Sequence, residues 1–137
     1  MKNYYIYEHH GLKILYVDLT NLKEESPVKE ILSESKKYVR KKHPSNKSLH
    51  TIINIEGMVL TADIKDSFLE FITGNSDRVK YTLFTGVDII NHIVYKELVK
   101  ADREDVICVE ELSEAEEFLL YHTGKKSRHQ QYPSYNS

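Results

Sequence analysis

The chain predicts an α/β fold: a mixed, mostly parallel sheet with helices packed on it, led by an N-terminal β-hairpin. Two runs rich in β-branched and aromatic residues, Tyr4 to Glu8 and Lys13 to Leu19, flank the turn-competent His9-His10-Gly11. After them, helical and strand-like apolar patterns alternate four times. Such alternation joins parallel strands through right-handed helical crossovers.

In the hairpin, Ile14, Leu15, Tyr16 and Val17 are continuously apolar, which marks a strand covered on both faces and therefore central. From Pro27 to Lys42, Val28, Ile31, Leu32, Tyr38 and Val39 repeat one helical face, with Ser35 as a gap. Ser26 is the expected N-cap and Pro27 the first helical residue, because proline lacks an N–H that would be unpaired there anyway. Pro44 ends the helix. Leu49 to Ile55 reads as the next strand, and Glu56-Gly57 opens a loop.

Ile64, Phe68, Phe71 and Ile72 then trace a second helix, with Thr61 or Asp63 as cap and Gly74 as stop. Val79 to Phe84 is a strand, Thr85-Gly86 a turn, and Val87, Ile90, Ile93, Val94 and Leu98 the face of a third helix. Val106 to Val109 closes the strand series. Ser113 with Glu116 reads as a capping box opening a last helix through Tyr121. The expected organisation is one α/β domain over residues 1–122 and a flexible polar tail over 123–137, which has no acid and no periodicity.

Composition narrows the function classes. With 19 basic and 21 acidic residues the net charge is −2, which gives no global field for nucleic acid or an anionic membrane. No apolar stretch approaches the ~20 residues of a membrane span. Cys108 is the single cysteine, so no intramolecular disulfide can form, and the N-terminus shows no signal-peptide pattern. A cytoplasmic location is the expectation.

The order of elements, and several of the residues that build them, resemble the STAS (SpoIIAA-like) fold of bacterial anti-sigma-factor antagonists, in the manner of a small stand-alone member. Lys13 to Thr20 looks like the family's second strand, Leu49 to Gly57 like its central strand and turn, and Thr85-Gly86-Val87 like a later strand-to-helix turn. Ser113 to Tyr121 is similar to its short closing helix, and the match covers Tyr4 to Tyr121. Classical members are regulated by serine phosphorylation in an Asp-Ser-Ser motif. Here the corresponding stretch is Leu60-Thr61-Ala62-Asp63-Ile64, which departs from that motif and keeps only the Thr61 hydroxyl. What the resemblance implies is a scaffold with an interaction surface and no agreed chemistry.

In a parallel sheet, ligands commonly meet the carboxyl ends of the strands. Asp18, Glu56, Thr61, Asp63, Thr85 and Asp88 would gather there, either as a recognition surface or as ordinary caps and turn residues. The resulting reading is a non-catalytic STAS-like interaction or regulatory module that recognises another protein through Glu56, Thr61, Asp63, Asp66 and Asp88, with self-association also open. Two alternatives belong to other classes. One is a carrier of a small apolar or lipid-like ligand, held beneath Phe68, Phe71 and Tyr81. The other is an enzyme whose dispersed site would combine converging carboxylates with a perturbed histidine.

Motifs predict no cofactor. Thr85-Gly86 stands without a GxGxxG or GxxxxGK[ST] pattern, and the seven histidines show no ligand spacing. Cys108 lies in an apolar run and reads as a small buried hydrophobe. Lys36, Lys37, Arg40, Lys41, Lys42 and Lys47 form a basic run that suits a helix C-terminus, whereas residues 102–117 are strongly acidic. The two ends of the domain therefore carry opposite charge.

Overall fold

The computed structural model describes residues 3–87 and 103–124. The elements are β1 (Tyr4–His9), β2 (Leu12–Asp18), α1 (Glu25–Lys42), β3 (Leu49–Asn54), α2 (Ala62–Gly74), β4 (Val79–Thr85), β5 (Val106–Cys108) and α3 (Leu112–Thr123). The expected third helix lies, from Asp88 onward, outside the described residues, as does the tail from residue 125.

The five strands form one sheet in the order β1-β2-β3-β4-β5. β1 runs antiparallel to β2 across the two-residue turn His10-Gly11, in which both residues adopt positive φ as a tight hairpin turn requires. The pairs β2–β3, β3–β4 and β4–β5 are parallel. The sheet is thus mixed and mostly parallel, with a hairpin at its N-terminal edge.

Side chains alternate between the two faces. Leu15, Val17, Ile53 and Phe84 join one apolar cluster with Val28, Leu32 and Val39 of α1 and Ile64, Phe68 and Phe71 of α2. Ile14, Ile52 and Leu83 point the other way, onto Ala115 and Leu119 of α3. Helices α1 and α2 share a face, as successive right-handed crossovers through a sheet built in sequence order require. Ile14, Leu15, Val17, Ile52 and Ile53 are fully buried, so the continuous apolar runs mark the strands enclosed on both sides. Ser35 is buried in the α1 face, and its hydroxyl donates to the Leu32 carbonyl at 3.0 Å, which satisfies it within the helix.

Two helix starts differ from expectation. Helix α1 begins at Glu25 with Glu24 as N-cap, so Ser26 is inside the helix and Pro27 is its third residue. Proline is equally tolerated there, since the N–H groups of the whole first turn lack intrahelical acceptors. In α3 the capping residue is Glu111, whose N–H is accepted by the Glu114 carboxylate at 3.0 Å. Glu116 instead accepts a hydrogen bond from the Tyr7 hydroxyl at 2.6 Å, across the sheet face, so it is not the partner of Ser113. Helix α3 ends at Gly124 in the left-handed conformation.

Candidate functional site

At the carboxyl ends of β2, β3 and β4 the chain turns at Asp18, Asn54 and Thr85. The Asp18 carboxylate accepts hydrogen bonds from the N–H and the hydroxyl of Thr20, which makes it a turn residue. Asn54 accepts from the Glu56 N–H at 3.0 Å and donates to the Tyr16 hydroxyl at 2.9 Å. The loops are stitched to each other through the backbone: Leu19 N–H to Asn54 O, Asn21 N–H to Glu56 O, Ile55 N–H to Thr85 O, and Gly86 N–H to Glu110 O. The Gly86 N–H is therefore occupied and offers nothing to a phosphate. Gly86 itself has φ +78°, and a Cβ there would come within 2.7 Å of the Glu56 backbone nitrogen.

Beyond this closed edge lies the surface the sequence singled out. Thr61 is the N-cap of α2, its hydroxyl accepting from the Ile64 N–H at 3.2 Å. Asp63 in the first turn favours the helix dipole. Its carboxylate also shares a hydrogen bond with Glu25 of α1, and this pairing, ahead of partial desolvation, pushes the Glu25 carboxyl above its usual range. Asp63 and Asp66 are exposed and line a groove of about 440 Å³ between α1 and α2, together with Lys29, Lys36, Glu70 and Phe71. Exposed Val59 and half-buried Leu22 and Leu60 adjoin the start of α2, with the Val59 N–H pointing to the Leu22 carbonyl. The structure thus brings together Thr61, Asp63 and Asp66. Glu56 is exposed on the preceding loop, and Asp88 lies outside the described residues.

The basic run does not stay together. Arg40 donates to the carbonyl of Gly74 at 2.7 Å, placing a cation at the C-terminus of α2 where the helix dipole favours it, and Lys36 lies beside the same glycine. Val39 is buried, and Tyr38 packs against Tyr4. Lys47 goes elsewhere.

At the opposite, amino end of the parallel strands, Lys13 of β2, Lys47 and Ser48 before β3, His50 of β3 and Lys80 of β4 line a pocket of about 340 Å³, closed by Gly11, Leu12 and Thr123. His50 is buried on the α3 side, its ring stacked on Tyr81 with centroids 5.9 Å apart. Burial, and then the nearby Lys80 charge, lower its pKa to about 4, so the imidazole is neutral at pH 7. Its Nδ1 is buried without a hydrogen-bond partner among the described residues. His43 is lowered as well, by burial and by the charges of Lys13 and Arg78, and its Nε2 lies 3.0 Å from the Ser48 hydroxyl. Sequence reading did not assemble this pocket. Its charged members come from three strand starts far apart in the chain, and only parallel register brings them to one edge.

The remaining candidates sort by face. Phe68 and Phe71 pack on the α1 and α2 side, Phe68 meeting Phe84 with centroids 5.1 Å apart. Tyr81 packs on the α3 side with Phe118, so these three aromatics share no cavity. A shallow aromatic hollow of about 340 Å³ lies instead among Val109, Phe118, Tyr121 and His122. Cys108 is only half-buried because β5 is an edge strand, although it packs against the core. The His9 and His10 rings meet edge to face at 4.5 Å, and among the described residues no three His, Cys, Asp or Glu side chains converge as metal ligands. Nor is any described helix long and apolar enough to cross a membrane. No family model matches the chain, and no curated protein matches it.

Proposed function

We propose that this chain is a non-catalytic, STAS-like protein-interaction or regulatory module that docks another protein on the groove between α1 and α2 and the adjoining loops. The observation that carries this reading is the groove itself. Asp63, Asp66 and Glu70 of α2 face Lys29 and Lys36 of α1 over buried Leu32 and Phe71. Charges of both signs over an apolar floor suit a segment of protein, which supplies apolar side chains and complementary charge together. Exposed Val59 extends the surface toward the strand ends. The order of elements, a hairpin followed by parallel strands with helices between them, is compatible with the STAS resemblance.

Asp63→Lys with Asp66→Lys tests the reading. Both side chains are exposed, so the fold should hold with only a small loss of melting temperature from the cation placed at the α2 N-terminus, while proteins crosslinked to the wild type are lost. A crosslinked set that is the same for wild type and variant would remove the groove as the docking surface.

The carrier reading has one observation in its favour, the aromatic hollow beside Phe118 and Tyr121. Native mass spectrometry of the purified protein tests it, through a small molecule retained on the folded chain and released on denaturation. A dispersed acid–base site has less support. The Glu25–Asp63 carboxyl pair stands beyond the carboxyl ends of the strands, and the perturbed His50 at their amino ends.

A further inference from the structure

We infer that the pocket at the amino ends of β2, β3 and β4 is a binding site for a phosphoryl group, either free phosphate or the head of a small phosphomonoester. Lys13, Lys47 and Lys80 would bind its charge and the His50 imidazole would turn to meet it.

Charge is the first argument. Among the described residues, three lysines line one pocket of about 340 Å³, and no acid is among its lining. Like charges drawn to one cavity repel, and a dianion between them turns that repulsion into attraction. Of the acids near this edge, Asp77 accepts from Ser45 and Arg78, while exposed Glu8 stands opposite Lys13 across the hairpin and offsets part of that lysine's charge, which leaves Lys47 and Lys80 as the main source of positive charge. Asp77 is held below the usual carboxylate range by the Ser45 hydrogen bond first, and then by the charge of Arg78.

His50 is the second argument. It is 3 % exposed and its Nδ1 has no hydrogen-bond partner among the described residues, an arrangement that is costly for a buried polar group. The ring is positioned by stacking on Tyr81 and not through that nitrogen, so rotation about χ2 breaks no hydrogen bond at Nδ1. Turned toward the pocket, a neutral imidazole donates one N–H to a phosphoryl oxygen. The cavity exceeds what a bare phosphate fills and is of the size that holds a small organic group beside it.

The test follows the His50 ring resonances by NMR at pH 7 during addition of inorganic phosphate, then of glycerol 3-phosphate, against sodium chloride at equal ionic strength. A saturable shift at His50, absent with chloride, is the expected result. Lys47 and Lys80 are exposed, so the Lys47→Met/Lys80→Met double variant should fold as the wild type does and bind at least about tenfold more weakly. Equal affinity for the two probes would identify phosphate itself as the ligand. Tighter binding of the ester would place its organic part in the pocket. The inference is overturned by a His50 response to both probes no larger than to chloride, or by a response that persists unchanged in the double variant.

Discussion

The two ends of the parallel strands are built in opposite ways. At the carboxyl ends the loops after β2, β3 and β4 hydrogen-bond to one another and to the loop after β5, and Gly86 lies against the Glu56 backbone with no room for a side chain. At the amino ends the β3 approach and the start of β4 are also tied together, Leu49 N–H to Arg78 O, Ser45 to Asp77 and Arg78 to His43 O, but beside the hairpin turn a pocket lined by Lys13, Lys47 and Lys80 stays open, and a Cβ added to Gly11 would meet nothing within 4 Å. Position along a strand therefore does not by itself make a site. Open space and clustered positive charge carry the proposal made for the amino edge, the one that the usual rule for α/β proteins would not choose.

The sharpest way to break this comparison is to add the same methyl group at both ends. Gly86→Ala forces an L-residue into φ +78° and presses its Cβ onto backbone atoms, so a loss of about 3 kcal/mol is expected. Gly11→Ala meets the conformational penalty at φ +84° without a clash and should lose about 1 kcal/mol. Urea midpoints at unchanged slope measure both. Equal losses would mean that the carboxyl edge relaxes as readily as the amino edge.

The next effect belongs to the amino edge. His50 titrates near 4 when folded and near the ordinary 6.5 when unfolded, so between those values the unfolded chain holds the extra proton. Stability is fully present above pH 6.5 and falls as pH drops toward 4, by an amount on the order of 3 kcal/mol. His43 is lowered too and acts in the same direction, but it is common to wild type and variant. His50→Leu should flatten the difference curve between pH 6.5 and 4. Parallel curves for the two proteins would mean that His50 carries none of the dependence.

Much of the scaffold was legible in the sequence because its signals are local. The apolar runs at Ile14–Val17 and Ile52–Ile53 named the strands buried on both faces, and the spacing of Ile64, Phe68, Phe71 and Ile72 named the face of α2. Thr61 was readable as a cap for the same reason. Misreadings arose where two local frames compete. Glu111 to Glu114 and Ser113 to Glu116 have the same spacing, and only the contact of Glu116 with Tyr7, more than a hundred residues away, separates them. Phe68 and Tyr81 were assigned to one cavity because sequence does not show that α2 and Tyr81 use opposite faces of the sheet. The lysine pocket was illegible on similar grounds, since Lys13, Lys47 and Lys80 meet only through strand register.

A smaller effect is expected at the α2 cap. Thr61→Ala leaves the Ile64 N–H without its side-chain acceptor and should cost about 1 kcal/mol, recovered by Thr61→Ser, which keeps the oxygen. Thermal unfolding of the three proteins checks this. No recovery in the serine variant would assign the loss to the missing methyl group and not to the cap.

The smallest effect concerns charge, and it tests whether the carboxyl side is as strained in acid as the amino side is rich in base. Glu25 is raised chiefly because its carboxyl shares a hydrogen bond with Asp63 across the gap between α1 and α2, with burial second and the adjacent carboxylate charge third. Asp63→Asn removes the charge and the carboxylate while keeping the size of the side chain. The Glu25 midpoint, followed by carbon-detected NMR, should then return toward the ordinary carboxyl range with no change in melting temperature, because both groups stand in solvent. A midpoint that stays raised would assign the shift to desolvation, and the groove would then owe its acidity to separate carboxylates instead of a shared proton.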